Sequence, residues 1–231
     1  MKVPFSNVTG PLLLVALAAA AAPVAETTLP NESLRYSVNW PTGVSLGEAQ
    51  LSASSSGGHL HFSLDLDASA PAFTVSDRFR SDASGSFCSS DFDKSTSHGS
   101  KKTKEKETFD SANGTVTRGS GDGQSQMNAS PCSKDALTFL YFLRHELSQG
   151  RVPPQETVYF GAPYEVRLSS AGTENIKRGA LSVDAERINV DVTGPSSSIS
   201  FEMVFLKDPA RTLALVRVPL TLGKFSMELL K

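Results

Sequence analysis

Neither sign of charge predominates in this chain of 231 residues: 22 Lys and Arg stand against 24 Asp and Glu, a formal net charge of −2. Without a clustered basic surface there is no long-range field to gather a polyanion, so nucleic acid is excluded as an expected partner. Histidine and cysteine are scarce, with 4 and 2 residues, which leaves little material for a metal centre. The glycine-rich stretch 119–123 (GSGDG) has neither the lysine of a phosphate loop nor the serine of a nucleophile elbow. No Ser/His/Asp triad can be assembled from spacing, so no catalytic residue, no metal site and no cofactor is expected.

Long apolar runs are also lacking, with one exception. Lys2 precedes residues 11–22 (PLLLVALAAAAA), a stretch of the length of a signal-peptide core and shorter than the roughly 20 residues that span a bilayer. Residues 1–25 are therefore expected to be a bacterial-type signal peptide, cut after Ala22 or Ala25, and no transmembrane segment is expected in the remainder. No cysteine stands at that boundary, so a lipid anchor there is not expected. The mature chain, residues 26–231, is expected to be one β-rich domain in the periplasm or secreted. An oxidising compartment makes Cys88 and Cys132 a disulfide pair in expectation, with two free structural thiols as the alternative. Such a bridge stabilises by roughly 3–4 kcal/mol on the chain-entropy argument.

What the sequence has in quantity is two-residue alternation. Leu34, Tyr36, Val38 and Trp40 alternate with polar residues, and Leu60, Phe62, Leu64 and Leu66 alternate with His59, His61, Ser63, Asp65 and Asp67, the pattern of strands with one wet face. Residues 54–58 (SSSGG) read as the hairpin turn before that second set. Further strands are expected over 46–51, 73–87, 101–110, 157–160, 164–168, 176–183, 188–192, 199–206, 213–220 and 225–230. Residues 101–110 (KKTKEKETFD) read as a charged edge strand turned to water, and 119–130 as a mobile loop. The period changes once: 136–147 carries apolar residues at helical spacing, with Ser133 the expected N-cap and Asp135 in the first turn. The expected architecture is mainly β, an antiparallel curled sheet or partly open β-barrel with one packed α-helix.

Three constellations invite a chemical reading. His59 and His61 share a strand face with Asp65 and Asp67, but a third imidazole or thiolate is missing, and a solvated face accounts for all four. Asp77 and Arg78 point to opposite faces, so a buried Asp77 needs another cation, for which Arg144 of the helix is the candidate. The Lys101–Lys106 run has the charge to touch anionic lipid headgroups or polysaccharide, but Glu105 and Glu107 dilute it, and a charged edge strand accounts for it.

Tyr36-x-Val38-x-Trp40 before Gly47-x-Ala49, the Asp77-Arg78 pair, Phe109-Asp110, the stretch from Asp135 through Tyr141 to Arg144, Asp208-Pro209-Ala-Arg211 and Val216-x-Val218-Pro occur in an order that resembles the exported bacterial domain of unknown function 3108 family. The resemblance covers essentially the whole mature chain. It implies an exported β-rich protein and carries no catalytic residue. A half-open sheet curled around a helix is similar to lipoprotein-carrier proteins, an analogy of fold alone.

The function expected from these readings is non-enzymatic: a module whose concave apolar face holds a lipid or other hydrophobic envelope molecule. Leu60, Phe62, Leu64, Phe139, Tyr141, Phe142, Phe201 and Phe205 are the candidate lining residues, with plain core packing as the competing account of each. The alternative is a structural envelope protein that docks another protein through a sheet edge or the 101–110 strand.

Overall fold

The computed structural model describes residues 30–70, 73–121, 123–179, 181–221 and 223–230; the leader expected over 1–25 lies outside them. Eight strands come first: β1 (Glu32–Asn39), β2 (Ser45–Ser56), β3 (His59–Ala70), β4 (Phe73–Ser84), β5 (Ser89–His98), β6 (Lys101–Asp110), β7 (Thr115–Ser120) and β8 (Gly123–Asn128). A two-residue β9 (Lys134–Asp135) leads into α1 (Ala136–Ser148). The chain then returns to strands: β10 (Glu156–Tyr159), β11 (Pro163–Arg178), β12 (Leu181–Thr193), β13 (Ser198–Leu206), β14 (Leu213–Leu220) and β15 (Gly223–Leu229).

All fifteen belong to one sheet, in the order β8-β7-β6-β5-β4-β3-β2-β1-β15-β14-β13-β12-β11-β10-β9. Each half is a meander, and the halves are joined by antiparallel pairing of β1 with β15, where Tyr36 faces Leu229. The pairing of β9 with β10 is parallel. The sheet does not close into a barrel. It curls instead, and its β9 end tucks inside against the start of β5, where the Ser89 N–H donates to the Ser133 carbonyl at 3.0 Å. The Cys88–Cys132 disulfide, 4.6 Å between Cα atoms, crosses the same place and links positions 44 apart.

Alternation decides which face turns inward. Leu60, Phe62 and Leu64 of β3 lie opposite Ala83, Ser81 and Phe79 of β4, and these line the concave side around the helix. Tyr36, Phe92, Leu143, Leu147 and Phe205 are among its fully buried side chains, and Phe62 stacks on Tyr141 with ring centroids 4.2 Å apart. The outer face of β3 and β4 is an ion ladder: Arg80 donates to Asp65 at 2.7 Å, Arg78 to Asp67 at 2.7 Å, and His61 meets Asp82. The acids beside His59 and His61 are thus committed to arginines, and no cluster of three metal-ligating side chains occurs among the described residues.

Several expectations are corrected. The N-cap is Asp135, whose extended backbone (φ −78°, ψ 174°) precedes the helix and whose carboxylate accepts from the Leu137 and Thr138 amides; Ser133 instead donates to the Ser130 carbonyl at 2.9 Å. Arg144 does not pair with Asp77. It is buried against Glu32 of β1 and donates to the Ala210 and Arg211 carbonyls, while Asp77 holds His98 at 2.8 Å. Residues 119–130 are not one loop, because β7 and β8 form a hairpin there. The strands expected at 164–168 and 176–183 are a continuous β11 followed by β12, with a register shift between Ser170 and Thr173 that scrambles the two-residue period. Strand β6 is no edge, being paired to β5 and β7, and its inner side chains include the buried Glu107 and Phe109. Strand β5 was missed because Phe92 is its one large apolar residue. No helix among the described residues is long and apolar enough to cross a membrane.

Candidate ligand cavity

Helix α1 does not fill the curl of the sheet. On the side facing β3 and β4 it packs tightly through Tyr141, 2% exposed and stacked on Phe62. On the opposite side it presents Ala136, Phe139, Leu140 and Leu143 to β10–β13, and a cavity of about 400 Å³ remains between them. The strand wall is built by alternation and register together. Val166 faces Val192 and Leu168 faces Val190 across β11 and β12, and Val190 and Val192 face Phe201 and Ile199 across β12 and β13. Val158, Phe160, Tyr164 and Met203 complete the lining, in which the Tyr164 hydroxyl is the one polar side-chain group. Buried Leu143, Val158 and Val190 belong to the core, whereas Ile199 is 38% exposed at the rim. The wall therefore offers no carboxylate, imidazole or thiol to a bound molecule. What it can do is remove apolar surface from water, which stabilises a complex by roughly 25 cal/mol per Å².

The structure brings two of the eight candidate lining residues, Phe139 and Phe201, to this cavity. Leu60, Phe62 and Phe205 are buried in the core at 1%, 2% and 0% exposure, and Leu64 packs against that core from a partly buried position. Tyr141 borders a smaller hollow beside Arg144. Phe142 lies across Phe87 and beneath the Lys134 ammonium, 4.3 Å from its ring centroid. The residues that sequence reasoning missed include Val158, Val166, Leu168, Val190 and Val192 of β10–β12, whose alternation was visible but whose distance from the helix was not.

Phe160, at the end of β10, separates this cavity from a charged region. Its other side lies beneath the Lys94 ammonium, 4.5 Å from the ring centroid. Lys94 meets Glu105 at 3.3 Å, and Arg118 clasps the same carboxylate with contacts of 2.9 and 3.2 Å. Although burial works the other way, Arg118 and Lys94 hold Glu105 below the usual glutamate value. The turn after Phe160 passes close by: a side chain at Gly161, whose φ is +80°, would meet the Glu105 carboxylate at 2.7 Å. The Gly161 N–H donates instead to Glu107 at 2.9 Å. Glu107 is 1% exposed and its second carboxylate oxygen has no hydrogen-bond partner. Burial pushes its carboxyl up to about 7, against the pull of the Gly161 N–H and the Lys94 charge.

At the helix start, the Asp135 carboxylate is fully enclosed. One oxygen accepts from the Leu137 and Thr138 amides and the other from the hydroxyls of Ser81, Ser89 and Thr138, all within 3.1 Å. Burial pushes this carboxyl up, and these donors oppose it. It caps and anchors the helix. Residues 43–47 spell Gly-Val-Ser-Leu-Gly, the spacing of a nucleophile elbow. Ser45 opens β2 rather than turning a strand into a helix, and its hydroxyl donates to the Gly47 carbonyl at 3.4 Å, so the context that would make it a nucleophile is missing.

A long antiparallel meander curled around one helix, with an apolar hollow beneath it, defines the architectural class: an open, barrel-like β protein. The crystal structure of a beta-barrel-like protein of domain of unknown function DUF1849 from Brucella abortus has this fold, with a TM-score of 0.63 over 89% of this chain and 98% of that one, at 8% identity. At that identity the likeness speaks for the fold alone. The family described as protein of unknown function (DUF3108) matches residues 35–230, and the chain belongs to it. No curated protein matches the sequence.

Proposed function

We propose that this protein is a non-enzymatic binder of a small hydrophobic molecule, acting outside the cytoplasm and holding its ligand between α1 and β10–β13. The observation that carries this reading is the cavity of about 400 Å³ whose fourteen lining residues offer a single hydroxyl. Ligand sites typically measure about 300–1,000 Å³ and pair apolar walls with few polar groups. Being open to solvent at its rim, where Ile199 is 38% exposed, the hollow leaves apolar wall in contact with water, which a bound apolar molecule would cover. The leader expected over residues 1–25 supports placement in the periplasm or secretion, where a hydrophobic envelope molecule needs shielding from water.

The test is native mass spectrometry with organic extraction on protein purified without detergent, alongside titration with the neutral apolar fluorophore 1-aminoanthracene. A reproducible bound mass, and fluorophore binding lost in Val190→Trp with the fold retained, is the expected result. A bare mass together with fluorophore binding unchanged in Val190→Trp would overturn the proposal.

A further inference from the structure

The apolar cavity and the charged region beside it share one wall, the Phe160 ring. Beyond that ring lies a second hollow of about 360 Å³, lined among others by Lys94, His98, Lys101 and Glu105. These positions share the inner face because the register sets Phe79 opposite Lys94, Lys94 opposite Glu105 and His98 opposite Lys101. We propose that the ligand is an amphiphile with an anionic headgroup, its apolar part beneath α1 and its headgroup on the Phe160 side at Lys94 and Lys101; this rests on reading the apolar cavity as the binding site.

The charge balance selects the sign. Lys94 and Lys101 face this hollow together with the carboxylates of Glu105 and Asp77, and each of those acids has a further partner, Arg118 for Glu105 and His98 for Asp77. Glu105 is taken up mainly by Arg118, through two contacts of 2.9 and 3.2 Å, and reaches Lys94 at 3.3 Å. Asp77 is turned to His98 at 2.8 and 3.1 Å. An ammonium has three donors, and Lys94 gives one long contact to Glu105 while resting on the Phe160 face. An incoming anion can take the ammonium donors that Glu105 does not use. The side chain of Lys94 is 16% exposed, so its attraction for an anion is less screened than that of a free surface lysine. A cationic headgroup would instead displace a lysine from its acid.

The experiment compares dodecanoate, dodecanol and dodecyltrimethylammonium, each below its micelle concentration at pH 8 and low salt, as competitors of bound 1-aminoanthracene. Dodecanoate should bind about tenfold more tightly than dodecanol and the ammonium more weakly than either, since one partly shielded ion pair is worth about a factor of ten. That preference should shrink at high salt, and it should fall towards parity in Lys94→Gln/Lys101→Gln. If the double variant does not fold, Lys101→Glu at an exposed position must still reduce it. Equal binding of dodecanoate and dodecanol, or preference for the ammonium, overturns this inference and leaves the apolar binder standing. Acetate alone abolishing the preference at millimolar concentration, with dodecanol still bound, would mark the second hollow as a free-anion site and also overturn it. No displacement by any of the three, with no fluorophore bound, removes the binder and the inference together.

Discussion

Glu107 makes the folded state sensitive to pH, with a sign and size that follow from its position. It lies on the inner side of β6 at 1% exposure, accepts the Gly161 N–H at 2.9 Å and leaves one oxygen unpartnered. The groups around it are mostly unhelpful to a negative charge: Asp135 and Glu105 oppose it, and of the nearby cations Lys94 is already shared with Glu105. Its carboxyl rises from an ordinary 4.5 to about 7, first through burial. Between those limits the native state holds a proton that the unfolded chain has released, so stability is full below pH 4.5, falls as pH rises through 7, and is level above. Two and a half pH units at ~1.4 kcal/mol each give about 3 kcal/mol lost over that window. Glu107→Gln keeps an acceptor for Gly161 and cannot ionise. Urea unfolding followed by the fluorescence of Trp40 should find the variant and the parent close at pH 4.5, and the variant more stable by about 3 kcal/mol at pH 8. Other titrating groups contribute equally to both proteins and cancel in the difference. Parallel pH profiles, or a variant less stable at pH 8, would refute the reasoning.

Asp135→Ala removes an N-cap worth about 1 kcal/mol and takes from the Ser81, Ser89 and Thr138 hydroxyls the buried acceptor they share, so a loss of about 3 kcal/mol is expected in the same unfolding assay, and a loss under 1 kcal/mol would show the cluster to be dispensable. Replacing Cys88 and Cys132 together by Ser should lower stability by roughly 3–4 kcal/mol, and mass analysis of the parent should find it two hydrogens lighter than after reduction. Arg144→Met leaves Glu32 without its cation and should cost about 3 kcal/mol, whereas a double-mutant cycle between Arg144 and Asp77 should be additive within about 0.5 kcal/mol because the two do not touch.

How legible each element was depends on how local its cause is. Strand β3 was plain because Leu60, Phe62, Leu64 and Leu66 alternate without interruption, and its hairpin with β2 because Gly57 and Gly58 take positive φ at 59° and 80°, as a two-residue turn requires. Strand β5 was not, since Lys94 and His98 occupy inward positions where an apolar residue would signal a strand. The N-cap was displaced by two residues because Ser133 is an equally good capping type; Asp135 won through hydroxyls on Ser81 and Ser89, 54 and 46 positions away.

The sequence by itself determined the class of the protein: period-two apolar alternation demands a sheet with a dry face, a single stretch of helical period supplies the element that covers it, and two cysteines were available to be joined. Only the tertiary structure decided where the dry face is filled and where it is hollow. A cavity is the difference between the space enclosed by α1 and four strands and the volume of their side chains, and no local pattern records that difference. The same holds for the pairing of Arg144 with Glu32 across 112 positions and for the burial of Glu107 on a strand that reads as charged throughout. Each depends on which distant segment the curl of the sheet brings opposite, a property of the whole winding rather than of any stretch of chain.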